Sequence, residues 1–523
     1  MDSISLDLLV EPAGVAHAKA MLQRAEWAAR SFATFDKASV DRVVLAVAEI
    51  AAAHAREYAE RAVAETGFGV VEHKVQKNIA MSTGIMAAYR DHDYVTPRFD
   101  SIAKILEVPR PAGVVLALTP STNPVATIYF KTLLALMTRN VIVVSPHPMA
   151  KEVSVAAAGV LADAATAAGA PEGVIQIIDQ PSVPLINALM TDERTNVIVA
   201  TGGTPVVRAA YSSGNPAIGV GPGNVPVLVD ATADLAGAAE MIVQSKSFDN
   251  GILCTNESVL IVEETVADNL LRYLKMSGAY LLDPEECDRV RDTLFPGGHF
   301  DIKWVGKDAT LIATAAGVRV PSNTKILLAP FDLVVPEEPL AHEKLCPVLG
   351  FVRVPTASRG IDAARAVLRL TGRGHSASIY STNSETIMRY GAALPVLRVT
   401  VNVGNSLGSS GVTTNLPPTM TIGTGYVGRS SIGENLQPKH LVQWTRLAYN
   451  ADPSFPFGDF AGANPWEASR GVVPPYPVAS NLVEASVVRT FETGRQPMSN
   501  ESASLREEVR RIVIEELQRV VRN

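Results

Sequence analysis

The sequence predicts an α/β fold built around a parallel, doubly wound sheet. After residue 113, short β-branched runs alternate with segments of helical periodicity, which is the order expected of right-handed βαβ units. Glycine- and proline-containing turns separate these runs. Of the 523 residues, 47% are apolar, so the chain can bury a large core and form more than one domain.

The first 95 residues are predicted to be helical. Residues 5–95 are rich in Ala, Glu and Arg at helical spacing, and the two glycines in 65–69 divide this region into separate helices. Residues 99–108 look extended and lead through a turn into the strand Val114–Leu118. Further strands are predicted at 141–144, 174–178 and 197–200, with helices between them. We therefore expect a first domain over residues 1–233.

A glycine-containing turn follows the strand at 197–200. The residues Thr201-Gly202-Gly203-Thr204-Pro205 open a helix there, which places backbone N–H groups and the positive end of a helix dipole beside any bound phosphate. A helix start without a ligand is equally compatible, because no complete G-x-G-x-x-G motif is present.

A second α/β segment begins near Asp234 and contains Cys254. This cysteine lies in a short turn just before a β-branched run at 258–262, and loops at strand ends carry most active sites of α/β proteins. The simpler alternative is that Cys254 is a small buried apolar residue, as free cysteines usually are. More strands are predicted in this segment, at 324–328, 349–354, 376–380 and 397–403.

Composition and charge exclude several classes of function. A net charge of −7 argues against a nucleic-acid partner. The three cysteines, Cys254, Cys287 and Cys346, form neither a metal motif nor a disulfide framework, which indicates a reducing compartment and no bound metal. No apolar run is long enough to span a membrane, and residues 1–4 do not begin a secretory signal. We expect a cytosolic enzyme.

The C-terminal region changes in composition twice. Residues 449–490, rich in Pro, Gly and aromatic side chains, are predicted to form an extended surface arm. After a polar linker at 491–503, residues 504–523 are predicted to form an amphipathic helix with a capping box at Ser504 and Glu507. Its apolar stripe consists of Leu505, Val509, Ile512, Val513, Leu517, Val520 and Val521. Such a stripe requires a groove on another protein or on the chain itself.

Ordered motifs run through residues 40–448. They are Glu65-Thr66-Gly67, Thr119-Pro120-Ser121-Thr122-Asn123-Pro124, Ser145-Pro146-His147-Pro148, Gly202-Gly203, 217–224, 248–251 before Cys254, 343–349, Gly374-His375 and 433–435. Together they resemble the aldehyde dehydrogenase superfamily. Within it they resemble the CoA-acylating branch, which includes the aldehyde domain of bifunctional alcohol/aldehyde dehydrogenases and enzymes of bacterial microcompartments.

This resemblance implies an aldehyde dehydrogenase fold with three parts. They are a Rossmann-like NAD-binding domain over 1–233 and 421–448, a catalytic domain over 234–420, and a β-arm that includes 98–113. The arm would join subunits into a dimer or a dimer of dimers. NAD is the implied cofactor, with NADP as the alternative because 145–148 contains no acid or base that chooses between them.

The resemblance also implies roles for individual residues. Cys254 would be the nucleophile, and Asn123 with the backbone N–H of Cys254 would hold the oxyanion. Glu343 would bind the nicotinamide ribose. The remaining cofactor-binding residues would be Thr119, Pro120, Ser121, Ser145, Pro146, Gly203 and Thr204.

The acyl acceptor is implied by one departure from the hydrolytic enzymes. Those enzymes carry a glutamate that activates water, and the matching position here is Val220, which cannot take a proton. Transfer to the thiol of coenzyme A is therefore expected. His375 is a candidate to assist that thiol, with a structural histidine as the equal alternative. Residues 504–522 resemble peptides that target such enzymes to shell or core proteins of a microcompartment.

Three other functions compete with this interpretation. The first is a hydrolytic aldehyde dehydrogenase. The second is a serine hydrolase using Ser406, because residues 404–408 fit G-x-S-x-G, although no helix pattern follows the motif. The third is a non-catalytic shell or scaffold protein. The substrate is expected to be a short aldehyde. Arg429 is either a contact for an anionic aldehyde or for coenzyme A, or a plain surface residue.

Overall fold

The computed structural model describes residues 13–460, 462–466, 473 and 476–477. The linker expected at 491–503, the helix expected at 504–523 and most of the arm beyond residue 466 lie outside the described residues. No helix among the described residues is long and apolar enough to cross a membrane.

Five helices form the N-terminal region, as predicted. They are α1 (Ala13–Phe32), α2 (Lys37–Ala53), α3 (Ala55–Thr66), α4 (Val71–Ala80) and α5 (Thr83–Ala88). Helix α2 begins at Asp36, whose side chain accepts a hydrogen bond from the N–H of Ser39. Helix α3 ends at Gly67, which adopts a φ of 68°. This glycine separates α3 from α4, so the predicted break between helices is confirmed.

A five-stranded parallel sheet follows, in the order β5-β4-β3-β6-β7. Its strands are β3 (Val114–Leu118), β4 (Val141–Ser145), β5 (Ile175–Ile177), β6 (Val197–Thr201) and β7 (Ala217–Val220), and its helices are α6 (Pro124–Met137), α7 (Lys151–Ala167), α8 (Val183–Thr191) and α9 (Thr204–Ser212). The chain moves outward from β3 to β5 and then returns to β6 on the other side of β3. This reversal creates a crevice beyond the carboxyl ends of β3 and β6, where open α/β sheets bind ligands.

The second sheet has seven parallel strands in the order β10-β11-β12-β9-β8-β13-β14. These are β8 (Val225–Val229), β9 (Glu257–Glu263), β10 (Ala279–Leu281), β11 (Ile326–Pro330), β12 (Val348–Val354), β13 (Ala377–Tyr380) and β14 (Val399–Val401). The associated helices are α10 (Leu235–Ser247), α11 (Glu264–Met276), α12 (Pro284–Leu294), α13 (Ala309–Ala315), α14 (Ala357–Leu370), α15 (Ser384–Ala393) and the single turn α16 (Asn405–Gly408). Because β8 pairs with β9 and β13, the chain changes sheets between Val220 and Val225, before the division expected at residue 233.

A small antiparallel sheet combines two distant parts of the chain. Its strands are β1 (Arg98–Asp100), β2 (Ile105–Pro111) and β15 (Val442–Ala448), in the order β1-β2-β15. The region predicted as one extended run at 99–108 is therefore a hairpin, with Lys104 at a φ of 53° in its turn. Residues 442–448 pair along all of β2. This pairing joins the predicted β-arm, which includes 98–113, to the predicted segment 421–448.

After β15 the chain runs over the surface without further strand or helix among its described residues. The ammonium of Lys104 donates to the carbonyls of Asn450, Asp452 and Phe455 at 3.2, 2.7 and 2.7 Å. Further on, the indole Nε1 of Trp466 donates to the carbonyl of Val95 at 2.7 Å. The described part of this segment thus agrees with the predicted extended arm.

Candidate active site

A cleft of about 430 Å³ opens at the carboxyl ends of β3 and β6 and reaches Cys254. Seven of the predicted site residues line it, namely Thr119, Pro120, Ser121, Asn123, Gly203, Cys254 and Glu343. His147, Gly202 and Val220 also line it. The two sheets therefore bring together residues from four separate turns, as expected of a ligand site at a topological switch point.

Four predicted site residues are not among those that line the cleft: Ser145, Pro146, Thr204 and His375. Ser145 is buried at the end of β4, where its carbonyl accepts the backbone N–H of Thr119 at 3.0 Å. This bond anchors the start of the 119–123 turn, so Ser145 supports the cleft wall from behind. Thr204 is exposed at the first position of α9.

Hydrogen bonds from α16 fix the turn that carries Cys254. The amide of Asn405 donates to the carbonyl of Thr255 at 2.7 Å, and the hydroxyl of Thr255 donates to the carbonyl of Ser406 at 2.8 Å. The thiol of Cys254 itself is partly exposed to the cleft. Burial, together with the nearby Glu343 carboxylate, raises the pKa of this thiol to about 12, and the Arg398 guanidinium opposes that rise. The ligand-free site therefore holds a protonated thiol at neutral pH.

Asn123 stands at the start of α6 but does not cap it with its side chain. Its amide oxygen accepts a hydrogen bond from the ammonium of Lys77, and its Nδ2 donates to the hydroxyl of Thr122 at 3.1 Å. An Nδ2 donates two hydrogen bonds, so one N–H is left to serve the cleft. Asn123 can therefore donate to a negative oxygen formed beside Cys254.

Glu343 lies on the opposite wall of the cleft. One carboxylate oxygen accepts the backbone N–H of Gly223 at 3.1 Å. Burial raises the pKa of Glu343 to about 8, while this N–H and the charges of Lys246 and Lys344 act in the opposite direction. A carboxyl group with this environment accepts hydrogen bonds from hydroxyl groups and changes its protonation near neutral pH.

His375 is fully buried behind the Cys254 turn. Its Nδ1 is 3.0 Å from the hydroxyl of Ser376, and its Nε2 has no hydrogen-bond partner among the described residues. Burial lowers the pKa of the imidazole to about 3, so it is neutral. A side chain added to Gly223 would begin 2.0 Å from the Cys254 carbonyl oxygen and 3.4 Å from the His375 ring. Gly223 thus permits the backbone of Cys254 and the His375 ring to approach each other.

Ser406 is unsuitable as a nucleophile. Its side chain is fully buried, and its hydroxyl donates to the carbonyl of Ser245 at 2.9 Å. The single turn α16 lies within the motif itself, and residues 409–411 continue as a turn, so the helix that a nucleophile elbow requires after its serine does not form, as expected. The serine-hydrolase alternative is excluded, because the Ser406 hydroxyl is bonded to the Ser245 carbonyl and Ser406 does not line the cleft.

Sequence reasoning did not assign roles to the buried charges around the cleft. Asp249 and Lys344 appeared only within the family motifs 248–251 and 343–349, and Lys74, Lys77, Lys246 and Arg398 were assigned no role. All six are buried in the structure. Two lysines three residues apart on one buried helical face were the one available signal, because a buried lysine needs a partner.

The fold and the site define a class of protein. Two parallel sheets meet at the cleft. On one wall lie the glycine-containing start of α9, which is suited to bind phosphate, and the amide of Asn123. The thiol of Cys254 lies on the facing wall. Residues 9–281 match the family described as "Aldehyde dehydrogenase family". The chain belongs to this family.

Curated relatives place it in the acylating branch. The chain is 41% identical over 446 residues to the bifunctional aldehyde-alcohol dehydrogenase of Escherichia coli K12, which covers 84% of the chain and 50% of the relative. The chain thus spans about half the length of this relative. It is 36% identical over 433 residues to the succinate-semialdehyde dehydrogenase (acetylating) of Clostridium kluyveri, covering 82% of the chain and 95% of the relative.

Solved structures agree with this branch. An acetylating aldehyde dehydrogenase from Geobacillus thermoglucosidasius superimposes with a TM-score of 0.82 at 37% identity, covering 84% of the chain and 97% of that protein. A propionaldehyde dehydrogenase from the fucose-utilisation microcompartment of Clostridium phytofermentans superimposes with a TM-score of 0.75 at 28% identity, covering 83% of the chain and 98% of that protein. The Rhodopseudomonas palustris propionaldehyde dehydrogenase with bound propionyl-CoA superimposes with a TM-score of 0.75 at 30% identity, covering 83% of the chain and 94% of that protein. The resemblance and the fold class drawn from sequence are confirmed.

Proposed function

We propose that this chain oxidises a short, uncharged aldehyde to its acyl-CoA thioester, with NAD as the hydride acceptor. The observation that carries the proposal is the pairing of Cys254 and Val220 in one cleft. The cysteine can form an acyl intermediate, whereas valine occupies the position at which hydrolytic relatives have a water-activating glutamate. The acetylating and propionyl-CoA-binding relatives support the same acceptor.

The cleft fits a nicotinamide nucleotide. Gly202 and Gly203 present no side chains at the start of α9, and no side chain caps that helix. Pro205 has no N–H and Val206 donates to the Gly203 carbonyl, so the backbone N–H of Thr204 is the donor of the first turn that can meet a pyrophosphate. Glu343 on the facing wall offers a carboxylate to ribose hydroxyls. A bound nicotinamide supplies the acceptor for a hydride leaving the aldehyde carbon.

Cys254 performs the covalent chemistry in this proposal. Its sulfur bonds to the aldehyde carbon, and the carbonyl oxygen becomes an alkoxide that receives hydrogen bonds from Asn123 Nδ2 and from the backbone N–H of Cys254. Loss of hydride from that carbon leaves a thioester on Cys254. Because the pKa of the free thiol is about 12, the S–H proton is released to solvent through the cleft in the same step, as the alkoxide donors and the Arg398 charge stabilise the anion that forms.

The second half of the reaction transfers the acyl group. The sulfur of coenzyme A attacks the thioester carbon, the carbon–sulfur bond to Cys254 breaks, and the proton of the coenzyme A thiol passes to the Cys254 sulfur, so one thioester is exchanged for another and the free thiol is restored. Val220 cannot deprotonate water, and a thiol needs less assistance because its pKa is lower. Neutral His375, with its free Nε2 behind the Cys254 turn, is the proposed residue that assists this transfer.

The charge of the substrate follows from the cleft lining. No Lys or Arg occurs among the described residues that line it, and its apolar contributions include Ile252, Leu253, Leu345, Met420 and Ile422. Arg429 is exposed and lies outside this lining. Burying a sulfonate or carboxylate there without a cation would cost several kcal/mol. A short uncharged aldehyde therefore fits best.

The preference for NAD rests on Glu65. Its two carboxylate oxygens accept the backbone N–H groups of Glu152 and Val153, both at 2.8 Å, in the first turn of α7. This helix follows β4, the strand beside β3, where Rossmann-like sheets receive the adenosine ribose. A carboxylate at this position repels a 2′-phosphate, so NAD is favoured over NADP.

One assay tests the reaction. Purified protein is supplied with propionaldehyde and NAD, with and without coenzyme A, while NADH absorbance, acyl-CoA and free acid are followed. We expect sustained NADH formation only with coenzyme A, in equal amount to acyl-CoA. Equal formation of free acid without coenzyme A would establish the hydrolytic alternative. No turnover of any aldehyde would favour the scaffold alternative.

The proposed partners follow from sequence and from the microcompartment relative. We infer that residues 504–522 bind a shell or core protein inside a bacterial microcompartment, and that the sheet of β1, β2 and β15 joins subunits into a dimer or a dimer of dimers. Residues 491–523 fused to a fluorescent protein should enter co-expressed shells. A fusion carrying Leu505→Glu and Ile512→Glu should stay outside, and equal entry of both would contradict the proposal.

A further inference from the structure

A buried carboxylate lies between the nucleophile turn and the amide of Asn123. Asp249 is fully buried, and its Oδ2 accepts hydrogen bonds from the ammonium groups of Lys74, at 3.1 Å, and of Lys77. Its Oδ1 accepts the backbone N–H of Val70 at 2.6 Å. The two lysines are 4% exposed, so their charges are neutralised within the protein and not by solvent.

Lys77 connects this cluster to the cleft. The same ammonium that contacts Asp249 also donates to the amide oxygen of Asn123. Lys74 contacts Asp249 and, at 3.4 Å, the carbonyl of Thr122, and among the described residues it makes no hydrogen bond to the Asn123 side chain. The two lysines therefore have the same charge partner, but Lys77 alone of this pair holds the amide.

The contact determines which end of the Asn123 amide faces the cleft. A side-chain amide can rotate by half a turn about its last bond and exchange its oxygen and nitrogen. With the ammonium of Lys77 at one side, the exchanged orientation would place two donors against each other. The oxygen is consequently kept toward Lys77 and the Nδ2 toward Thr122 and the cleft.

The cluster also links the two expected oxyanion donors. Asp249 and Asn250 adopt left-handed backbone conformations, with φ of 50° and 55°, five and four residues before Cys254. The backbone N–H of Asp249 donates to Nδ1 of His73 at 2.8 Å. Non-glycine residues keep such conformations only where surrounding bonds enforce them. Asp249 thus fixes both the turn that leads to the Cys254 N–H and, through Lys77, the Asn123 amide.

We propose that Lys77, held by Asp249, is a positioning residue that keeps the Nδ2 of Asn123 aimed at the oxygen of the aldehyde carbonyl. Burial lowers the pKa of Lys77 to about 8, whereas Asp249 raises it, so the ammonium persists at neutral pH. This inference rests on the proposed function, because it requires Asn123 to serve as an oxyanion donor.

The test compares Lys77→Met with Lys74→Met, its matched control at the same carboxylate. We expect Lys77→Met to lower kcat for aldehyde oxidation roughly 30-fold, less than loss of the donor itself, with the KM values for NAD and coenzyme A within about twofold. Lys74→Met should lower kcat less. Lys77→Gln, which retains a donor toward Asn123, should recover most of the loss and serves as the folded variant if the methionine variant is unstable.

A double-mutant cycle decides whether Lys77 acts through Asn123. In the Asn123→Ala background, Lys77→Met should have no further effect on kcat, because the amide that Lys77 orients is absent. Equal factors in both backgrounds, or a wild-type kcat for Lys77→Met, would overturn the positioning role. A wild-type enzyme that forms no acyl-CoA would instead overturn the proposed function, so the two failures are distinguishable.

Discussion

The two walls of the cleft differ in how they carry charge. On the wall formed by the five-stranded sheet, Asn123 and the helix start at Gly203 offer neutral donors whose orientation is fixed, and His147 is the one ionisable side chain among its described lining residues. On the facing wall, Cys254 and Glu343 both ionise, with their pKa values raised to about 12 and about 8. In the proposed reaction, the first wall, which we call the fixed wall, would stabilise charge that develops on the substrate. The second, which we call the ionising wall, would gain and lose protons.

The largest effect is expected from removing the Cys254 sulfur from the ionising wall. Cys254→Ala should lower aldehyde oxidation by roughly 10⁴-fold or more, because Cys254 carries the one thiol among the described residues of the lining. The measurement is NADH formation in the presence of aldehyde and coenzyme A. Cys287→Ala is the matched control, since Cys287 is buried away from the cleft and donates to the carbonyl of Pro330. Similar losses in the two variants would contradict the assignment.

The next effect removes the donor from the fixed wall. Asn123→Ala should lower kcat by about 10²- to 10³-fold, the usual loss for one oxyanion donor. Because Asn123 acts on the substrate oxygen and not on the thiol, the rate of Cys254 alkylation by iodoacetamide should change little. Asn269→Ala, at an exposed position of α11 outside the cleft lining, is the matched control and should keep its kcat. A parallel loss of alkylation in Asn123→Ala would show that Asn123 acts on the sulfur instead.

A moderate effect concerns the pH dependence of stability. The pKa of Glu343 is raised from 4.5 to about 8, so between these values the folded protein keeps a proton that the unfolded chain has released. This residue consequently lowers the free energy of unfolding as pH rises through that window. Glu343→Gln removes the contribution. The difference in melting temperature, variant minus wild type, should become more positive as pH rises from 4.5 to above 8. A difference that stays constant with pH would refute the raised pKa.

Both walls were partly predictable from sequence. Alternation of strands and helices predicted the parallel sheets, and the family motifs predicted that Cys254, Asn123 and Glu343 lie in one site. The Lys77–Asp249 contact was not predictable in this way. Its residues are 172 positions apart, and a single sequence carries no information on which buried lysine meets which carboxylate.

Backbone features that break local rules were also missed. Asp249 and Asn250 adopt left-handed conformations without being glycine, and the hairpin at 98–111 turns through Lys104 at a φ of 53°. These conformations are enforced by tertiary bonds that a local pattern does not contain. The membership of β8 in the second sheet was missed for a related reason, since its buried run resembles a strand of either sheet.

The smallest expected effect lies at the edge of the fixed wall. Glu65→Gln removes the charge that meets the first turn of α7 but keeps a side chain of the same size. The ratio of kcat/KM for NADP to that for NAD should rise several-fold, about 1 kcal/mol of altered discrimination, because the 2′-phosphate no longer meets a carboxylate.

Glu60→Gln, on the same helix α3, is the matched control, since Glu60 is exposed and pairs with Arg56 at 3.7 Å, with no bond to α7 among those described. Its cofactor ratio should match wild type. An unchanged ratio in Glu65→Gln would mean that Glu65 only caps α7, in which case its loss should appear as a lower melting temperature without a change in cofactor preference. The cofactor ratio and the melting temperature together therefore show whether Glu65 only caps α7 or also selects NAD over NADP.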